Sequence, residues 1–171
     1  MKSRFFTSAA ALALLAGTAH AQDLVFPVGE GDFNWDSYQA FADSAPDLSG
    51  QTVTVSGPWL SPEADRFDNL LAYFEAATGA EATYTGSDSF EQQIVIDAEA
   101  GSAPNVAVFP QPGLAAVMAG SGLLTPLGDD MADWVNENYA AGQSWVDLGT
   151  YENESGEDQF YGFFFNVNVK S

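Results

Sequence analysis

A regular alternation of hydrophobic and polar positions begins at Gln51. Thr52-Val53-Thr54-Val55-Ser56 is a β-branched run that stops at Gly57-Pro58, which predicts a strand. Ser61 followed by Pro62 predicts an N-cap and first helical residue, with Glu63 and Asp65 in a first turn where the helix dipole favours negative charge. Phe67, Leu70, Leu71 and Phe74 recur at helical spacing as one apolar stripe, and Gly79 is the expected stop. The pattern then repeats. Ala80 to Thr85 predicts a second strand, and Gly86-Ser87-Asp88 a loop. Ser89-Phe90-Glu91-Gln92 has the form of a capping box leading a helix, with Phe90, Ile94 and Ala98 inward and Gly101 at its end. Val106 to Phe109 is continuously apolar, as expected of a buried parallel strand. Pro110-Gln111-Pro112-Gly113 breaks it, and a short helix with Leu114, Val117 and Met118 ends near Gly120.

Three strand-helix pairs in succession imply right-handed crossovers, an α/β fold class and a parallel sheet with helices on both faces. Ligands of such sheets bind beyond the carboxyl ends of the strands. Three loops should therefore converge on one rim: Gly57 to Ser61, Gly86 to Ser89, and Pro110 to Gly113.

The flanks are less regular. Residues 22–50 read as an N-terminal arm in which Trp35, Tyr38 and Phe41 allow one short helix. Asp129 to Asn138 predicts a helix with Met131, Trp134 and Val135 inward. Tyr151 to Gln159 reads as an acidic surface turn, and Phe160 to Val169 is strongly β-prone. The sequence stops at Lys170-Ser171 directly after that run, which predicts a truncated chain.

The amino terminus changes the setting. Lys2 and Arg4 precede an apolar stretch from Phe5 to Gly17, and Ala19-His20-Ala21 forms a small-x-small site before Gln22. This is the pattern of a cleaved secretory signal over residues 1–21, and the stretch falls short of the about 20 residues needed to span a bilayer. Cleavage would leave Arg66 and Lys170 against 24 carboxylates, a formal net charge of −22. Such a chain repels nucleic acid and anionic lipid, and the charge reads as a solvated exterior. No cysteine is present, which excludes disulfides, thiolate metal sites, cysteine nucleophiles and a lipid-modified cysteine. A soluble periplasmic protein is the expectation.

Ala103-Pro104-Asn105-Val106-Ala107-Val108-Phe109, a short helix, and then Gly120-Ser121-Gly122-Leu123-Leu124-Thr125-Pro126-Leu127 together resemble a stretch of the sugar-type extracellular solute-binding proteins of ABC importers. Tyr161 to Ser171 resembles the strand by which that family crosses from its first lobe into its second, although Phe164 stands where the family often has proline. Trp59 after Ser56-Gly57-Pro58, and Ser87 to Gln93, are similar to the alpha-glucoside-binding members. The resemblance covers residues 51–171. It implies a periplasmic binding protein-like (type II) fold: lobe one over residues 51–160, a crossing strand or hinge over 161–171, and a second lobe absent. Without that lobe, Phe160 to Phe165 would lose neighbours and the chain would fold poorly alone.

On this reading the ligand-binding candidates are Trp59, Asp88, Ser89, Gln111, Pro112, Phe165, Asn166 and Asn168. An indole packs well against the C–H face of a sugar, but Trp59 equally suits a cap on the adjacent helix. Asp88 can accept sugar hydroxyls in charge-assisted bonds, or cap a helix, and Ser89 carries the same ambiguity. Gln111 sits between Pro110 and Pro112, which stiffen its loop and favour a ligand role. Asn166 and Asn168 share one side of the presumed strand, facing the cleft in one register and solvent in the other. Glu63 and Asp65 read as helix-start charges, and Trp134 and Trp145 as core. Glu152, Glu154, Glu157 and Asp158 read as a solvated turn rather than a calcium loop.

The leading expectation is capture of a sugar, an alpha-linked di- or oligosaccharide, by a monomer that delivers it to the permease subunits of an ABC importer, with no cofactor and no catalysis. The alternative is an exported sugar-active enzyme of glycosidase type, which needs two carboxylates. An adhesion module predicts all-β alternation, against the helical periods present.

Overall fold

A computed structural model describes residues 24–165, so the signal-peptide segment, Asn166 and Asn168 lie outside the described residues. Helix α1 spans Trp35–Ser44, strand β1 Thr52–Gly57, α2 Glu63–Thr78, β2 Glu81–Gly86, α3 Phe90–Glu99, β3 Val106–Ala107 and α4 Pro112–Gly120. The order in the sheet is β2-β1-β3 and both pairings are parallel. The predicted α/β succession is therefore present, with its central strand made by the β-branched run.

The pleat explains the two layers. Val55 pairs with Tyr84, and Tyr84 meets Phe67 of α2 at 5.2 Å between ring centroids. Ser56 and Thr85 are paired one position on, so they face the other side. There they line a small depression of ≈ 120 Å³ with Phe90 and Ile94 of α3. Helices α2 and α3 thus take opposite faces. On the α3 side, Phe90, Ile94 and Met118 form a buried cluster to which Ala107, Phe109, Leu114, Leu123 and Leu124 are added. Asn105 clamps β3 to β1, its side-chain oxygen accepting the N–H and hydroxyl of Thr54, each at 2.9 Å.

Several local expectations are corrected. Helix α2 begins at Glu63, with Pro62 rather than Ser61 as N-cap, and the Ser61 hydroxyl, instead of capping, donates to the Asp65 carboxylate at 3.0 Å. The capping box at Ser89 does not form: Ser89 is the N-cap of α3 without a side-chain bond to it, and its hydroxyl donates to Asp88 at 3.2 Å. Leu70, Val117 and Trp134 point outward, at 58%, 65% and 48% exposure, while Ala72, Met118 and Val135 take the buried positions. The third strand is two residues long and lies at a sheet edge, leaving Val106 exposed.

Beyond α4, helix α5 spans Asp129–Asn138 as expected, and α6, Gly142–Leu148, packs against it. The predicted surface turn is the tip of an antiparallel hairpin, β4 (Thr150–Glu152) with β5 (Asp158–Phe160). Asn153 closes the tip by accepting the N–H groups of Ser155 and Glu157 at 2.8 and 3.0 Å. The expected strand from Phe160 ends at that residue: the bond from the Tyr161 N–H to the Gly149 carbonyl at 2.9 Å is the last across the hairpin, and Tyr161 to Phe165 carry no ladder. In the arm, α1 forms where the aromatic spacing allowed it and lies against α2, with the Tyr38 hydroxyl donating to the Tyr73 carbonyl at 3.2 Å.

Candidate functional site

Parallel pairing puts the carboxyl ends of all three strands on one edge of the sheet, and the loops leaving them are knitted together. The Ser87 N–H donates to the Gly57 carbonyl at 3.0 Å, tying the second loop to the first strand. Gln111 ties the third loop to the second: its side-chain nitrogen donates to the Glu91 carboxylate of α3 at 3.0 Å. Its side-chain oxygen accepts the Gly113 N–H at 2.7 Å, so Gln111 is the N-cap of α4 and Pro112 its first residue. Gln111 therefore has a structural role that its proline-flanked position in the sequence did not disclose. Both residues remain exposed.

Trp59 leaves the end of the central strand and is half-buried. Its ring lies 5.3 Å from Phe67, 6.0 Å from Tyr84 and 5.5 Å from Phe165, the last edge-on. The indole packs on Phe67 of α2 and also keeps an open surface. Phe165, 54% exposed, is brought to the same cluster from the far end of the described chain. Asp88 and Ser89 stand exposed on the neighbouring loop, and Ser89 rather than Asp88 takes the N-cap position of α3. The rim thus presents aromatic rings beside a carboxylate and a hydroxyl, a surface that can pack on apolar C–H groups while accepting hydrogen bonds.

Three participants were not singled out from the sequence. Phe67 was legible only as a helix-stripe residue and Glu91 only as part of the Ser89-Phe90-Glu91-Gln92 capping-box segment. Tyr84 lies inside a strand, and only the in-register pairing of β1 with β2 shows that it reaches the first loop. Burial raises the Tyr84 phenol above its usual pKa of 10.0, with the Asp68 carboxylate adding to the rise and the bond to Trp59 opposing it. Burial first, then Asp65 and Glu75, likewise raises Asp68 above 3.8.

The larger surface depression, ≈ 510 Å³, lies elsewhere, between α4 and the hairpin tip, lined by Ala116, Gly120 and Tyr151 to Glu154 among others. Among the described residues no three His, Cys, Asp or Glu side chains converge as metal ligands. Among them, too, no helix is long and apolar enough to cross a membrane.

Comparison with known proteins bears on this rim. The family model for bacterial extracellular solute-binding proteins matches residues 57–167, a span that starts at the end of β1 and takes in all three loops. An alpha-glucosides-binding periplasmic protein, AglE, of Rhizobium meliloti (strain 1021), is 50% identical over 178 residues, covering 100% of this chain and 39% of the relative. An osmoprotective compounds-binding protein, GgtB, of Synechocystis sp. (strain ATCC 27184 / PCC 6803 / Kazusa), is 35% identical over 126 residues, covering 73% of this chain and 28% of the relative. The chain spans well under half the length of these relatives.

Proposed function

Because the chain belongs to the bacterial extracellular solute-binding protein family, we propose that it supplies one wall of a sugar site in the substrate-binding component of an ABC importer, working in the periplasm. The observation that carries this reading is the half-exposed Trp59 at the end of the central strand, with Phe165 against its ring and the exposed Asp88 and Ser89 on the neighbouring loop. The indole stacks on the ligand, and the carboxylate and hydroxyl fix its orientation through hydrogen bonds. The ligand class, an alpha-glucoside di- or oligosaccharide, draws its support from the relative named for alpha-glucosides. Gln111 and Pro112 shape the third side of the rim, and Asn166 and Asn168 are assigned to the cleft where the chain crosses onward.

In this reading residues 1–21 are a signal peptide, 22–50 an arm, 51–160 lobe one and 161–171 the crossing. The opposite wall belongs to a second lobe within the part of the relatives' length that this chain does not span. Capture proceeds by hinge closure of the two walls, driven by contacts that exist only when closed. No bond in the sugar is made or broken, and the loaded protein passes its cargo to the permease.

Isothermal titration of the full-length protein with maltose, sucrose and trehalose tests this. Saturable heat with at least one is expected, weakened about tenfold by Trp59→Ala. Heat from an amino acid or a metal ion, with none from any sugar, rejects the ligand class, and turnover of a chromogenic glycoside would favour an enzyme instead.

A further inference from the structure

The loop that carries Trp59 is held from below by a side chain of the adjacent strand. The Tyr84 hydroxyl accepts the Trp59 N–H at 2.8 Å and donates to the Trp59 carbonyl at 3.3 Å. One oxygen thereby satisfies both backbone polar groups of a single residue, which fixes the direction in which its side chain leaves the loop. The Tyr84 ring is itself held against Phe67, so the oxygen is a fixed point rather than a mobile partner.

Two glycines make this approach possible, and space rather than backbone conformation requires them, since neither has a positive φ. A Cβ at Gly57 would stand 2.8 Å from the Tyr84 hydroxyl, and a Cβ at Gly86 would overlap the Trp59 carbonyl oxygen. Serving as acceptor and donor at once also requires a neutral phenol. A phenol of ordinary pKa 10.0 already keeps its proton through the neutral range, and burial raises this one further.

We propose that Tyr84 is a positioning residue of the sugar site: its hydroxyl holds the Trp59 peptide, and through it the indole, in the orientation that meets the ligand, with Gly57 and Gly86 as the clearances that admit it. This rests on the reading of Trp59 as the stacking residue. Tyr84 does not touch the sugar. Its effect on affinity passes through the loop, as preorganisation of a binding surface does.

The test pairs amide hydrogen exchange without ligand with titration by an alpha-glucoside, maltose or trehalose, on full-length wild type, Tyr84→Phe and Gly86→Ala. Tyr84→Phe keeps the ring and removes only the oxygen. The Trp59 amide is expected to exchange about tenfold faster while the amides of β1 keep their protection, and sugar affinity to fall about two- to tenfold. Gly86→Ala, with the hydroxyl intact but the Trp59 carbonyl displaced, is expected to lower affinity in the same range, and it carries the same readouts if Tyr84→Phe does not fold. An unchanged Trp59 amide in Tyr84→Phe overturns the proposal. So does faster exchange with unchanged affinity, and so does an equal acceleration of Trp59 and the β1 amides, which marks a general loss of stability. A wild type that binds no sugar defeats the site reading instead. That failure is separable, because the ligand-free exchange of Trp59 still shows whether Tyr84 holds the loop.

Discussion

Helix α2 faces the same hydrogen-bonding device at two places along its length. Near its start, beside Phe67, the Tyr84 hydroxyl brackets the N–H and C=O of Trp59. Towards its end, the hydroxyl of its own Tyr73 brackets those of Phe26, accepting at 3.0 Å and donating at 2.8 Å. Each bracket sits in a string of aromatic rings, Trp59, Phe67, Tyr84 and Phe165 at the rim, and Phe26, Phe33, Trp35, Tyr38 and Tyr73 at the arm. The geometry is alike, but the surroundings are not. Phe26 and Phe33 are 48% and 52% exposed, and the arm's bracket is anchored on α2 with α1 beside it, away from the sheet. At the rim, β1, β2 and α2 meet, and the bracketing phenol is buried enough to resist ionisation. A hydrogen bond open to water trades with water at little net gain, whereas one in a drier site is strengthened and costly to leave unmade. The rim is thus a rigid surface and the arm a loosely tied one.

Removing a ring from each string should break the likeness most sharply. Phe67→Ala strips the side chain that touches Trp59, Tyr84 and Phe165, and should cost about 3 kcal/mol in urea unfolding. Trp35→Ala in the arm should cost about 1 kcal/mol, because its neighbours are already wet. Equal losses would show that the arm is as much a part of the core as the rim is.

Deleting the two hydroxyls is a finer comparison. Tyr84→Phe should cost about 1 kcal/mol and Tyr73→Phe a few tenths, with the second instead speeding proteolytic cleavage between Val25 and Trp35. Alkali tests the Tyr84 phenol further. A phenol held above 10.0 in the folded state contributes stability that is intact below pH 10 and is lost as pH rises towards the folded value. Tyr84→Phe should therefore flatten the alkaline fall in Tm. It should not abolish it, because burial also raises Tyr38, Tyr139 and Tyr151.

What the sequence disclosed follows the same division between locally and tertiarily determined features. The strands and helices from Thr52 to Gly120 were legible because period 2 and period 3.6 are written into neighbouring residues. The placement of the rim at the strand ends followed from parallel topology. Helix α6 is only seven residues long and opens on Gly142-Gln143-Ser144, and β4 and β5 are three residues each around a polar tip, so none offered a period to read. Trp134 was expected inside with Met131 and Val135 from the helical pattern, but of the three only Val135 is fully buried, and Trp134 stays 48% exposed on a helix that packs against short α6. At the site, Trp59 stood out by its loop. Tyr84 could not, since its partner is fixed by strand register, and the capping bond of Gln111 to Gly113 and its bridge to Glu91 are tertiary features that its proline-flanked position does not reveal.

The smallest expected effect is electrostatic and confined to the rim end of α2. Asp68 is held above 3.8 by burial and by Asp65 and Glu75, so the stability it contributes is present below that value and is lost as pH rises through the folded one. Asp68→Asn should raise Tm slightly at pH 7, and the gain should vanish below pH 3.8.

The central claim concerns where the ligand sits, and amide chemical-shift mapping of the full-length protein at saturating alpha-glucoside addresses it directly. Shifts should concentrate in residues 57–61, 86–91 and 110–113, with Trp59 among the largest. Shifts centred on Tyr151 to Gly156 and Ala116, around the larger depression, with residues 57–61 silent, would contradict it.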